Sequence, residues 1–295
     1  MMNKKNVYKL FLFLFMLLAF FISVYPLLWV VIQSLKTETE FLESIWTLPA
    51  RLNFQNYATA WNDAGMSRYF MNSVVVTLVT TAVNLVFVTC AGYAFAKLKF
   101  PGKTFFYYMI IFNLLIPTAI ILLPMFTMVN RMHLVNTLPA LVFPYFQGFA
   151  PMGLIICRNY FEDLPDELME AGKLDGCSNM QVFRKIMLPL AKPILAVISI
   201  YTIVITWNSW FNALVYLPDT ALQPLQLYLR RVLLENTVDL TKLPMNEVAE
   251  AVRRSLSNVQ LKYAMIIFTT LPVLFAYPFF QKHFVKGIMV GSLKG

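Results

Sequence analysis

The chain is short of charge. Only 13% of its 295 residues are Asp, Glu, Lys or Arg, while 59% are apolar. A soluble domain carries about 25% charged residues. A deficit of this size over the whole length excludes an ordinary soluble fold and points to an integral membrane protein. Cysteine is equally scarce. Cys90, Cys157 and Cys177 stand alone with no C-x-x-C pair, which removes a disulfide framework and a cysteine metal site. The two histidines, His133 and His283, lie far apart, and H-E-x-x-H is absent. A nucleotide loop is missing too. Gly102-Lys103-Thr104 ends like one, but Lys97 stands where the first Gly should be and no strand precedes it. The net charge of +9 forms no basic patch among aromatics, so nucleic acid is not an expected partner. The basic residues sit instead at the ends of apolar runs, where membrane topology uses them.

What the chain does have is apolar runs of about 20 residues, the length a helix needs to cross the hydrocarbon core. Six qualify: residues 10–33, 70–96, 104–128, 138–157, 193–217 and 263–281. Strands would require the alternation of a closed barrel, which these runs lack. The first run is too long for a secretory signal and has no small-residue cleavage site, so it is expected to stay as a span. With the N-terminus in the cytoplasm, 14 of the 24 Lys and Arg residues fall on the cytoplasmic side. The short loop KLKFPGK reports this most cleanly. Both termini are then inside, as is the segment 163–190. The segments 34–69 and 218–262 are outside. The second contains PLQLYLRRVLLENTV, where Leu225, Tyr228, Leu229 and Val232 recur at helical spacing. Such a helix lies on the lipid surface or meets a partner.

None of the six spans contains Asp, Glu, Lys, Arg or His. Ion-coupled carriers keep an ionisable group in the bilayer, and intramembrane proteases need catalytic side chains there. Both classes are disfavoured. The polar residues within the spans are uncharged. Ser73, Thr77, Thr80 and Asn84 make a stripe on the second span, and Asn208 and Asn212 share a face of the fifth beside Trp207, Trp210 and Phe211. Amides and aromatic faces suit a sugar path. The alternative is helix–helix hydrogen bonding for the stripe and an interfacial belt for the tryptophans. Pro117, Pro124, Pro144, Pro151, Pro272 and Pro278 imply kinked helices.

The segment 163–190 is polar and carefully punctuated. Asp163-Leu164-Pro165 reads as a helix start, with Asp166, Glu167 and Glu170 near the positive dipole end. Leu164, Leu168, Ala171 and Leu174 form the expected apolar face, and Gly176 the stop. Ser178 and Gln181 make a capping box for a second helix lined by Val182, Ile186 and Leu190. Pro189 and Pro193 end it. Two short helices at a sharp angle suit a groove on another protein.

This segment resembles the EAA loop of ABC importer permeases: EAA, three residues, Gly, nine residues, Ile-x-Leu-Pro. Here Glu170-Ala171-Gly172 is followed by Asp175 and Gly176 and, after nine residues, by Ile186-Met187-Leu188-Pro189. Every spacing matches, and Gly172 replaces the second alanine. NFQNYATAW, FMNSVVVTLVTT, AGYAFAKLKFPGK, ITWNSWFNALVY and YPFFQKHFVKGIMVGSLKG extend the resemblance to the smaller permease of maltose-type carbohydrate importers, most of all an oligosaccharide subgroup. The resemblance implies an all-α membrane protein of the type I ABC importer fold, with six spans and a cytoplasmic coupling-helix loop. It implies a second, homologous permease as heterodimer partner, a cytoplasmic ATPase dimer that binds ATP and Mg, and an external sugar-binding protein, in a bacterial plasma membrane. Glu170 would touch the ATPase, 218–262 would probe the binding protein, and the tail 285–295 would reach the ATPase. The chain itself would hold no cofactor and do no chemistry. The rival readings are a permease for another solute and, from a different class, a carrier or channel working without ATP. A membrane enzyme comes third.

Overall fold

The structure is a computed structural model that describes residues 4–144, 150–235 and 259–292. Among them every regular element is helical. In chain order these are α1 (Lys4–Ser34), α2 (Glu38–Glu43), α3 (Gln55–Trp61), α4 (Met66–Lys97), α5 (Lys103–Phe112), α6 (Thr118–Arg131), α7 (Pro139–Val142) and α8 (Ala150–Glu162). There follow α9 (Glu167–Leu174), α10 (Asn179–Val182), α11 (Leu188–Leu190), α12 (Lys192–Asn208), α13 (Phe211–Tyr216), α14 (Leu225–Glu235) and α15 (Val259–Ser292). Tyr8–Ser34, Met66–Lys97 and Val259–Ala276 are long and apolar enough to cross a membrane, and two bent pairs would bring the number to five.

The run 104–128, expected as one span, is broken: Lys103–Leu115 and Thr118–Arg131 meet at 111°. Pro117 stands at the break. Its ring bars the preceding Ile116 from helical geometry, and Ile116 is extended. The run 193–217 also departs from a single helix. It stops at Asn208, Ser209 is extended, and α13 starts afresh at Phe211. The run 138–157 is shared between α7 and α8, with residues 145–149 outside the described residues. Pro124 and Pro272, by contrast, sit inside continuous helices.

The chain divides into two compact units. One holds residues 1–67 and 229–271. Its α1 exposes Phe11, Phe13, Phe15 and Met16 alike, as a helix surrounded by lipid does. The segment after α1 is built rather than loose. Fully buried Lys36 donates to the Ser44 carbonyl at 2.9 Å, and Gln33 donates to Ile45 O at 2.8 Å. Asn56 closes the turn by donating to the carbonyls of Ser34 and Lys36 at 2.8 and 2.9 Å. Thr37 and Glu40 form a capping box on α2. Backbone donors at Thr37 and Ala50 hold the Glu40 carboxyl below the ordinary carboxylate range.

The other unit holds residues 68–228 and 272–295. It packs the polar stripe of α4 inward, and Ser73, Thr77, Thr80 and Asn84 are all buried. Where α4 meets α8, a Cβ on Gly92 would lie 2.9 Å from Cys157 Cβ. A core of Val88, Tyr93, Cys157, Phe161, Met169, Val182, Phe183 and Met187 joins these two helices to the segment 163–190. Of the segment 218–262, residues 236–258 lie outside the described residues, as do 293–295 of the tail.

Candidate functional site

The segment 163–190 is tied at both ends to helices of the same unit, α4 and α8. At its start, Lys97 Nζ, on the last residue of α4, donates to Asp166 Oδ1 and to the Leu164 carbonyl, each at 2.6 Å. The Lys97 ammonium beside Asp166 lowers that carboxyl below its usual range, first through their hydrogen bond and then through charge. At its end, Tyr160 Oη donates to the Leu190 carbonyl at 2.9 Å. Between them Tyr93 Oη reaches the Asn179 carbonyl at 3.5 Å and Met169 Sδ at 3.7 Å. Lys97, Asp166 and Tyr93 were invisible as partners in the sequence, being separated by about 70 to 90 residues of loop and helix from what they touch.

The first helix starts later than expected. It runs Glu167–Leu174 with Asp166 at its cap position, and Asp166 makes no side-chain cap bond. Its carboxylate is committed to Lys97, so the residue that would cap the helix anchors it instead. The buried face is also different. Met169 and Gly172 point inward, whereas Leu168 and Ala171 are exposed and Leu174 is 89% exposed. The expected stripe of Leu164, Leu168, Ala171 and Leu174 is thus the outer face, apart from half-buried Leu164. Glu170 is exposed on the same helix, and its carboxylate has no partner among the described residues.

Gly172 is the point of closest approach. A Cβ there would meet Ile186 Cδ1 at 2.8 Å and Val182 Cγ2 at 3.2 Å. Gly176 follows Asp175 with φ of +80°, the left-handed turn that lets the chain reverse. Ser178 and Gln181 then form both halves of the capping box. Past α10 the helix widens into a π-turn over Phe183–Met187, and Leu188 donates its N–H to the Phe183 carbonyl five residues back. Pro189 supplies no N–H, so the ladder changes phase just before it. The extra residue rotates the buried face to Val182, Phe183 and Met187. Ile186 stays half-buried, and Leu190, expected on that face, is exposed. The result is a pair of short helices with one face sealed against α4 and α8 and a mixed apolar and acidic face turned out.

The polar residues of the spans come together only in part. Ser73 Oγ accepts the Leu225 N–H at 2.8 Å, and Asn84 donates to Thr202 Oγ1 at 2.9 Å. Both act here as links between elements of this unit. The hydroxyls of Thr77, Thr80, Thr81 and Thr206 are buried without a hydrogen-bond partner among the described residues. Trp207 is 4% exposed, with its ring edge-on to Phe70 at 5.5 Å. It is packed inside, not set in an interfacial belt. Trp210 meets Phe211 edge-on at 5.7 Å. Asn208 and Asn212 do not share a helical face, because extended Ser209 separates α12 from α13. Asn208 donates to the Val204 carbonyl and accepts from Gln226. Asn212 lines a cavity with Ser73, Thr206 and Ser209. That cavity offers only about 10 Å³, room for a single water and too little for a sugar ring. Asn72, not singled out from the sequence, donates to the carbonyls of Ala221 and Gln223 at 2.9 and 3.0 Å and fixes the turn before α14.

Residues 88–290 match the family described as binding-protein-dependent transport system inner membrane component. The chain is 36% identical to Protein LplC of Bacillus subtilis over 93% of this chain and 90% of that one. It is 33% identical to the arabinooligosaccharides transport system permease protein AraQ of Halalkalibacterium halodurans, over 93% of this chain and 92% of that one. A crystal structure of a bacterial ABC transporter involved in the import of the acidic polysaccharide alginate contains a chain of the same fold. The TM-score is 0.80 at 24% identity, covering 96% of this chain and 99% of that one.

Proposed function

The chain belongs to the family of binding-protein-dependent transport system inner membrane components, and from that membership we propose that it is the permease subunit of an importer for a sugar of more than one unit. Members of this family are non-catalytic membrane subunits of ABC importers that work with a separate ATPase and a binding protein. A carbohydrate cargo is supported by the arabinooligosaccharide relative, which spans nearly the whole chain, and by the resemblance of the C-terminal YPFFQKHFVKG segment.

The coupling role is assigned to Glu170, Ala171, Gly172, Asp175, Gly176, Ile186, Leu188 and Pro189. The observation that carries it is the outward face of α9 on a base packed against α4 and α8. A push on that face moves α10 and the π-turn with it, and α12 follows directly after Ala191. ATP binding on the partner would close the ATPase dimer, carry the paired helices and turn the spans outward. Sugar released by the binding protein would then enter, and hydrolysis would reset the cycle. Both termini and this segment are placed in the cytoplasm, six spans cross the membrane, and a second, homologous permease completes the pore. Ser73, Thr77, Asn84, Trp207, Asn208, Trp210 and Asn212 remain candidates for the path in another conformation. The tail 285–295 and the segment 218–262 are assigned to ATPase and binding-protein contact.

A mild-detergent pull-down of this chain from its own membrane, with mass spectrometry of what stays bound, tests the reading. A P-loop ATPase and a second multi-span permease are the expected companions, and the associated binding protein then identifies the sugar by its bound ligand. A homo-oligomer without an ATPase would overturn it in favour of a carrier or channel.

A further inference from the structure

Beside α9 lies an open groove of about 690 Å³, lined by Lys97, Lys99, Lys103, Glu170 and Lys173 among others. We propose that it binds the phosphate of an anionic phospholipid head group.

The charges decide the sign of the ligand. Asp166 is paired with Lys97, and Glu162, also on the wall, is paired with Arg158. What remains is three ammonium groups, Lys99, Lys103 and Lys173, against the single carboxylate of Glu170. No carboxylate pairs with any of these three lysines among the described residues. An anion is therefore favoured and a cation is not. Lys103 is held in place, donating to the carbonyls of Ala96 and Leu98 at 3.3 and 3.1 Å. An ammonium has three N–H donors, so one is left. Lys103 is also the first residue of α5, which has no side-chain cap, and the positive end of the helix dipole adds to the same field.

The neighbouring surface favours a lipid as the source of the phosphate. The groove forms where α4 ends at Lys97 and α5 begins at Lys103. One turn further along, Phe105, Phe106 and Tyr108 are exposed, as side chains facing acyl chains are. The uncompensated lysines thus stand at the edge of the apolar surface, where the proposed topology puts the head groups. Basic pockets between membrane helices at this level hold anionic lipid head groups. A lipid bound here would brace the α4–α5 turn against the coupling segment and present its tails to the exposed aromatics.

The test uses the complex captured through this chain, reconstituted in nanodiscs of equal parts phosphatidylglycerol and phosphatidylcholine. Native mass spectrometry then counts the lipids that stay bound. Two net charges predict retention of phosphatidylglycerol over phosphatidylcholine on the order of tenfold. Lys99→Gln/Lys173→Gln, at two exposed positions without a side-chain hydrogen bond or ion pair among the described residues, should lose that preference, and Lys99→Arg/Lys173→Arg should keep it. Equal retention of the two lipids, or a preference unchanged in the double Gln variant, would overturn the proposal. So would inorganic phosphate that stays bound to the complex in pure phosphatidylcholine, counted in the same spectra, since the site would then take a free anion. The readout is bound lipid, so it stands apart from whether the importer reading holds.

Discussion

Gly172 shows how one residue can carry opposite consequences. In an isolated helix its replacement by Ala would gain about 1 kcal/mol. Here the added methyl meets the tip of Ile186 at 2.8 Å. Because that tip is the free end of a flexible side chain, Gly172→Ala should come out near neutral in thermal unfolding. Gly172→Leu cannot be relieved this way and should cost about 1–3 kcal/mol by forcing α9 away from the π-turn. Equal stability of the Leu variant would contradict the packing described. Asp166 makes a pH prediction. Its folded pKa is depressed by Lys97, so the link is fully present above the unfolded carboxylate value of about 3.9 and is lost as pH falls through the folded value. Protection from hydrogen exchange at the start of α9, taken relative to the intrinsic rate at each pH, should be constant around neutrality and fall only in acid. In Asp166→Asn it should be lowered throughout and lose the acid-dependent step. An unaltered acid step in that variant would assign it to another group.

At the scale of elements, the paired helices were largely legible from the sequence, and their orientation was not. The Ser178–Gln181 capping box and the Gly176 turn stand where local chemistry puts them, because caps depend on residues three or four apart. The buried face of α9 depends on what the rest of the chain offers, and Tyr93, Phe161 and Phe183 take Met169 rather than the leucines. Leu168, Leu174 and Glu170 stay exposed, where the proposed ATPase contact needs them. Glu170→Lys should therefore leave the fold and membrane insertion intact while the ATPase no longer co-purifies and uptake falls to background. Normal ATPase retention and normal uptake in that variant would refute the coupling assignment. The breaks at Pro117 and Ser209 carry a similar lesson. Proline marked the first, whereas nothing local to WNSWF marked the second.

For the whole molecule, topology is the testable quantity. In a cysteine-free background, Lys99→Cys and Lys192→Cys should react with an impermeant maleimide only after the cell is opened. Arg51→Cys should react from outside. Labelling of all three from one side would overturn the proposed topology, and the reverse pattern would invert it. Uptake should also collapse when ATP is depleted with the ion gradients held constant, which separates an importer from an ATP-independent carrier.

The sequence by itself determined the membrane class, the helical character of the chain, and the turn and capping box of the segment 163–190. These follow from composition, from period and from contacts within one helical turn. Only the tertiary structure decided which face of α9 is sealed, that Lys97 rather than a cap holds Asp166, that Gly172 is a contact point, and that the α4 stripe is buried, with Ser73 and Asn84 spent on links to Leu225 and Thr202. Each of these pairs residues far apart in the chain. Their meeting is fixed by how helices pack, and spacing along the sequence carries no trace of it.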